Sequence, residues 1–166
     1  PSEIIATPVY YNDRAYIAIG QDPEHGDGVG QLSCIDISKE GDITKEGAVW
    51  TYQGVGRTIS TVSIADGLLY IAEYAGKIHC LNADTGVPYW IYDTQSRIWG
   101  STLVSADRVY VGNEDGDLTI LKAGKAMQFI NKINFNAPIY SSPIAANGTL
   151  YVASQSYLFA IGESSP

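Results

Sequence analysis

What most constrains this chain is a unit of about forty residues written four times, each copy centred on an aromatic strand. The strands read Ala15-Tyr16-Ile17-Ala18, Leu69-Tyr70-Ile71-Ala72, Val109-Tyr110-Val111-Gly112 and Leu150-Tyr151-Val152-Ala153. Their tyrosines are separated by 54, 40 and 41 residues. A fixed period in that range marks propellers, solenoids and arrays, in which a unit buries its apolar face only against a like neighbour.

Upstream of each tyrosine a small-polar pair opens a strand: Thr7-Pro8, Thr61-Val62, Ser101-Thr102 and Ser142-Pro143. Tight turns follow at Asn12-Asp13, Asp66-Gly67, Asp107-Arg108 and Asn147-Gly148, and Asx-Gly between alternating apolar runs signals a hairpin. Third strands contain Cys34, Cys80, Ile120 and Phe159, and fourth strands close the first three units at Trp50, Trp90 and Phe129. Period-two alternation throughout, with no helical apolar stripe, predicts an all-β chain of four-stranded antiparallel blades. The reading is one β-propeller segment over 1–166, with blades at about 3–53, 54–94, 95–133 and 134–162. It opens on an inner strand over 4–11 and ends after the third strand of the last blade, giving fifteen strands and a fourth blade without its outer strand. Such a partial or half propeller exposes apolar end faces. It would therefore close as a four-bladed ring, belong to a larger propeller, or pair with a second copy as a homodimer of eight blades.

Between the third and fourth strands, Cys80-Leu81-Asn82-Ala83-Asp84-Thr85-Gly86-Val87-Pro88-Tyr89-Trp90 resembles the tryptophan-docking motif of the PQQ-like (quinoprotein-like) β-propellers. Cys80 stands where that motif usually has alanine, and Asn82 where it usually has aspartate. The first unit keeps Cys34, Asp36 and Trp50 around an insertion, and the third is degenerate at Ile120, Lys122 and Phe129. Structural docking is accordingly assigned to Cys34, Trp50, Cys80, Thr85, Gly86, Trp90 and Phe129. In physical terms the glycine permits the corner and the indole packs flat between blades.

The resemblance implies a bacterial, periplasmic or extracellular setting. Quinone-dependent dehydrogenases of this superfamily bind PQQ with calcium in the central channel, some with a disulfide between adjacent cysteines, whereas many relatives are scaffolds without a cofactor. Here Cys34 and Cys80 are the only cysteines. Equivalent positions in splayed blades do not readily come within the roughly 4.4–6.8 Å Cα separation of a disulfide, so they read as small buried hydrophobes. The expectation is no cofactor, with PQQ and calcium as the alternative.

The fourth-to-first connections and second-to-third turns share one end of a propeller, which in the resembling family is the ligand face above the channel. Arg57, Arg97, Trp99 and Tyr140 lie on the connections, and Glu73, Tyr74 and 113–117 on the turns. Two equivalent guanidinium groups suit a carboxylate or phosphate, and pairing with nearby acidic side chains is the competing reading. Trp99 and Tyr140 match Ile59 and Ile5 in position, which also fits packing between blades.

The insertion over 21–30 carries Asp22, Glu24 and Asp27, an oxygen-rich set that could hold calcium, although its spacing matches no EF-hand or zinc motif. Residues 113–117 read as an ordinary hairpin turn, and His79, beside Ile78 and Cys80, reads as packed or solvated. No catalytic triad, HExxH, P-loop or Rossmann fingerprint occurs. No apolar run reaches the ~20 residues of a spanning helix. A formal charge of -8 argues against nucleic-acid binding, which depends on basic side chains at phosphates. These features point to a non-enzymatic scaffold binding a protein or small ligand, with a quinone-dependent dehydrogenase segment and a carbohydrate- or peptide-binding sensor as alternatives.

Overall fold

The computed structural model describes residues 2–21 and 28–162, and every regular element among them is a strand. The first sheet holds β1 (Ser2–Glu3), β2 (Val9–Tyr11), β3 (Arg14–Gln21), β4 (Gly30–Asp36) and β5 (Ala48–Tyr52). The second holds β6 (Ser63–Ala65), β7 (Leu68–Ala72), β8 (Lys77–Asn82) and β9 (Pro88–Asp93). The third holds β10 (Leu103–Ser105), β11 (Arg108–Gly112), β12 (Asp117–Lys122) and β13 (Phe129–Asn134), and the fourth holds β14 (Ile144–Ala146), β15 (Thr149–Ala153) and β16 (Leu158–Gly162). Each sheet is antiparallel with sequential strands adjacent, except that β1 and β2 both pair with β3, so these are propeller blades, the last with three strands among the described residues.

Asp66 and Gly67, and likewise Asn147 and Gly148, take positive φ, the conformation of the tight hairpin turn expected of these pairs. In the third blade the turn sits one residue earlier than expected. Ser105 pairs with Arg108, and Ala106 takes φ 52. The inner strand expected over 4–11 is also interrupted. β1 and β2 pair with opposite ends of β3, which makes sixteen strands among the described residues where fifteen are expected. Pro8 cannot donate to a ladder, and the Thr7 N–H turns to the next blade, donating to Thr61 Oγ1 at 3.1 Å. That link repeats down the stack: Thr61 N–H donates to Ser101 Oγ at 2.9 Å, and Ser101 N–H to Ser142 Oγ at 2.8 Å.

Side-chain alternation gives each blade two faces. Tyr16, Leu32 and Cys34 of the first meet Val62, Leu69, Ile71 and Leu81 of the second. Tyr70, Ile78, Cys80 and Trp90 of the second meet Val109, Val111 and Leu121 of the third. Leu118 and Ile120 of the third meet Val152 of the fourth. Among the described residues no buried cluster joins the fourth blade to the first, so the blades form an open row.

Two of these contacts share one clamp. The Tyr16 hydroxyl and Trp50 Nε1 both donate to the Ala83 carbonyl, at 3.1 and 3.0 Å. Gly86 lies so close to the Trp50 ring that an added Cβ would fall 2.6 Å from it, and its φ of +71 disfavours any other residue. One blade on, Trp90 Nε1 donates to the Gly124 carbonyl at 2.8 Å, and the Gly124 N–H donates to the Tyr70 hydroxyl at 3.0 Å. Cys34 and Cys80 are free and fully buried behind the tyrosines, and burial pushes the Cys80 thiol up to about 12.

A β-bulge sets the indole's register. The outer strands carry one extra residue, Val49, Tyr89 and Ile130, immediately before the position that pairs with Cys34, Cys80 and Ile120. That position holds Trp50, Trp90 and, in the third blade, Asn131. Phe129 therefore does not occupy the docking register. It pairs with Leu121, is 50% exposed and stacks on Tyr92 at 6.2 Å. Without an indole, the third contact keeps a cleft of about 720 Å³ lined by Tyr110, Ile120, Asn131, Ile133, Leu150 and Ile161 among others.

Trp90→Ala is expected to lower the unfolding free energy by about 3–5 kcal/mol, and Phe129→Ala by about 1 kcal/mol or less. Denaturant titration of the two variants checks the register directly.

Candidate functional site

Matching hydrogen bonds fix which loop residues are equivalent. The Arg57 carbonyl accepts from Tyr74 N–H, that of Arg97 from Glu114 N–H and that of Pro138 from Gln155 N–H, each at 2.8 Å. The two arginines thus occupy the same place in consecutive blades, at the loop end of the blades where connections and turns meet.

Their side chains converge on one ring. Arg57 Cζ lies 4.4 Å and Arg97 Cζ 5.4 Å from the centre of the Tyr74 ring. Tyr74 in turn meets Trp99 edge-on at 5.0 Å, and Trp99 meets Tyr140 edge-on at 5.9 Å. Arg57, Arg97, Trp99 and Tyr140 are therefore brought into one continuous ladder, with Tyr74 as the rung that joins arginines to aromatics. Arg57 is 7% exposed, while Trp99 and Tyr140 keep 36% and 42% of their surfaces open. Among the described residues neither arginine forms an ion pair. Arg57 Nη1 is enclosed without a hydrogen-bond partner.

Topology alone puts Tyr74 on this face, without marking it as the ring that both arginines meet. The available signal was that it is the one aromatic among the equivalents Tyr74, Glu114 and Gln155. Glu73 is a structural anchor that no sequence motif marks. It is 3% exposed, and its Oε2 accepts from the Gly56 N–H at 2.6 Å and from His79 Nε2 at 3.2 Å. Lys77 Nζ lies 3.5 Å from Oε1. A carboxylate can only accept, so Nε2 carries a proton, and Nδ1 shares a hydrogen bond with the Tyr52 hydroxyl at 3.1 Å. His79 is thus packed and hydrogen-bonded between blades. Burial would raise the Glu73 carboxyl, but the His79 and Gly56 hydrogen bonds and the Lys77 charge outweigh it and hold it below its ordinary value. Glu73 thereby fixes the backbone just before Arg57.

Residues 113–117 form a hairpin turn, with Asn113 Oδ1 accepting from Asp117 N–H at 2.9 Å. The Asp117 carboxylate goes to Lys132 at 2.8 Å and Asn134 at 2.7 Å. Asp22, Glu24 and Asp27 lie outside the described residues. Among the described residues no three His, Cys, Asp or Glu side chains converge as metal ligands, and the loop end presents guanidinium groups where a calcium ion would need oxygen donors. The described donor set does not fit a calcium-assisted quinone.

A repeating four-stranded blade with paired aromatic docking defines the class: a PQQ-like β-propeller. The chain belongs to the family whose model is described as Outer membrane protein assembly factor BamB, matched over residues 39–128. It is similar to the assembly factor BamB of Shewanella oneidensis, with 27% identity over 78 residues, covering 44% of this chain and 20% of that protein. The crystal structure of BamB from Moraxella catarrhalis superposes with a TM-score of 0.73 at 17% identity, over 96% of this chain and 43% of that one. Quinohemoprotein alcohol dehydrogenase from Comamonas testosteroni gives 0.66 at 18% identity, over 92% of this chain and 29% of that one. These structural likenesses show the fold. The chain spans a fifth of the length of the curated relative and under half of either solved structure.

The lowered Glu73 carboxyl makes stability depend on pH. Its contribution is present above the unfolded-state value, near 4.5, and is lost as pH falls through the lower folded value. Glu73→Gln is expected to be less stable than the parent by about 1–3 kcal/mol at neutral pH, with the difference shrinking below about pH 4.5. Unfolding curves of both proteins across that range check this.

Proposed function

We propose that this chain is a non-enzymatic scaffold that holds a protein partner on the ladder formed by Arg97, Tyr74, Trp99 and Tyr140, with Arg57 behind it. The observation that carries this is a continuous aromatic and guanidinium surface whose outer rungs, Trp99 and Tyr140, remain open to solvent. Tyrosine, tryptophan and arginine are the residue types enriched where protein interfaces concentrate binding energy. Membership in a family described as an outer membrane assembly factor agrees with a protein-binding role and with a periplasmic setting. The buried Tyr52, His79 and Glu73 chain links two blades, and nothing in the reading is routed through a cofactor. A photo-crosslinking residue at Trp99 or Tyr140, introduced in cells, is expected to give one and the same discrete protein adduct. The same residue at Asp66 or Asn147, in the turns at the opposite end of the blades, is expected to give none. Equal labelling from both ends would remove the reading, and glycan adducts from the ladder would replace it with carbohydrate binding.

The ends of the row support a second reading, association with a further copy. Leu158 is 71% exposed at the register position where Leu32, Ile78 and Leu118 are 0% exposed. Among the described residues, the hydroxyl run also leaves a free donor, Ser142 N–H, at one end and a free acceptor, Thr7 Oγ1, at the other. We infer that two copies meet head to tail, each fourth blade covering the other's first, the heterologous contact that closes a ring when its rotation allows. Light scattering is expected to give the mass of a dimer that Leu158→Asp converts to monomer. A monomeric parent would remove this reading.

A further inference from the structure

We propose that Arg57 and Arg97 form a socket for a single carboxylate of the protein partner, and that in the free protein the Tyr74 ring occupies that anion's place. This deepens the reading of the ladder as a partner-binding face and rests on it.

Arg57 is held firmly. Its stem passes Gly20, where an added Cβ would fall 2.7 Å from the Thr58 carbonyl oxygen and 3.2 Å from Arg57 Cγ. A guanidinium group carries five donors in a fixed fork. Leaving Nη1 enclosed without an acceptor is a cost that folded proteins normally avoid. Carboxylates are not scarce in a chain with 18 acidic and 10 basic residues. The neighbouring one, Glu73, is committed to Gly56, His79 and Lys77, so it cannot turn to Arg57.

The negative face of the Tyr74 ring attracts both guanidinium groups. That attraction is weaker and less directional than a charge-assisted bidentate pair, so an arriving carboxylate displaces the ring. Tyr74 is only partly buried and Arg97 is exposed, which opens the approach from the Arg97 side. Trp99 and Tyr140 then form the wall beside the anion and suit an apolar side chain next to the acid. The net charge of -8 repels phosphate dianions and anionic surfaces more strongly than one monovalent carboxylate.

The test follows the arginine side-chain Nε–Hε resonances of the intact chain by NMR. The probes are a short capped peptide alternating leucine and aspartate, its asparagine counterpart, and inorganic phosphate. The aspartate peptide is expected to shift the Arg57 and Arg97 signals, with binding weakened about tenfold by Arg57→Gln or by the asparagine substitution. Arg97→Gln, at an exposed position, gives the same weakening should Arg57→Gln fail to fold. Tyr74→Leu removes the ring that must be displaced and is expected to bind about threefold tighter, an effect that a purely structural tyrosine would not produce. Equal binding of the two peptides, stronger binding of phosphate, or weaker binding by Tyr74→Leu would overturn the socket. If the Trp99 crosslink persists in Arg97→Gln while the peptide gives no shift, the socket falls and the partner-binding face stands. Loss of any crosslink in the parent protein removes the face itself.

Discussion

The structure depends on one contact: a tyrosine hydroxyl and an indole N–H of one blade clamped onto the backbone corner of the next. At Ala83 both donors meet a single carbonyl, and at Gly124 the hydroxyl and indole divide the amide between them. Each clamp packs two aromatic rings, Tyr16 with the half-buried Trp50 and Tyr70 with Trp90, whose polar ends find the partners that burial requires. It also sets the angle between neighbouring blades, because Gly86 admits the Trp50 ring only in the absence of a Cβ. Where Asn131 replaces the indole, the tyrosine is no longer fully buried and a cleft opens instead.

The loop end inherits its geometry from this stacking. Arg57 and Arg97 belong to different connections, and only the fixed relation between consecutive blades brings both within reach of the Tyr74 ring. Beneath them, Glu73, His79 and Tyr52 join the first and second blades through buried hydrogen bonds. Buried polar groups that are fully satisfied in this way rigidify their surroundings. Against that rigid base, the enclosed Nη1 of Arg57 stands out as the unmet donor of the ladder.

Strand alternation, turn chemistry and the forty-residue period were legible in the sequence because each is a local property of the backbone or of side-chain periodicity. The misreadings also have local causes. Phe129 reads as the docking aromatic, yet a β-bulge moves the docking register to Asn131, and bulges leave no reliable mark in composition. The inner strand was read as continuous because its apolar residues run through Pro8, whose missing N–H ends the ladder.

The sequence by itself determined an all-β chain of propeller blades, the equivalence of Arg57 with Arg97, and the aromatic positions at the loop end. Only the tertiary structure decided that both arginines meet the Tyr74 ring, that Glu73 is buried and already engaged, and that the described blades form an open row. The reason is physical. Periodicity specifies which residues share a face of one blade, whereas contacts between loops of different blades depend on stacking angle and side-chain reach, which no single repeat encodes.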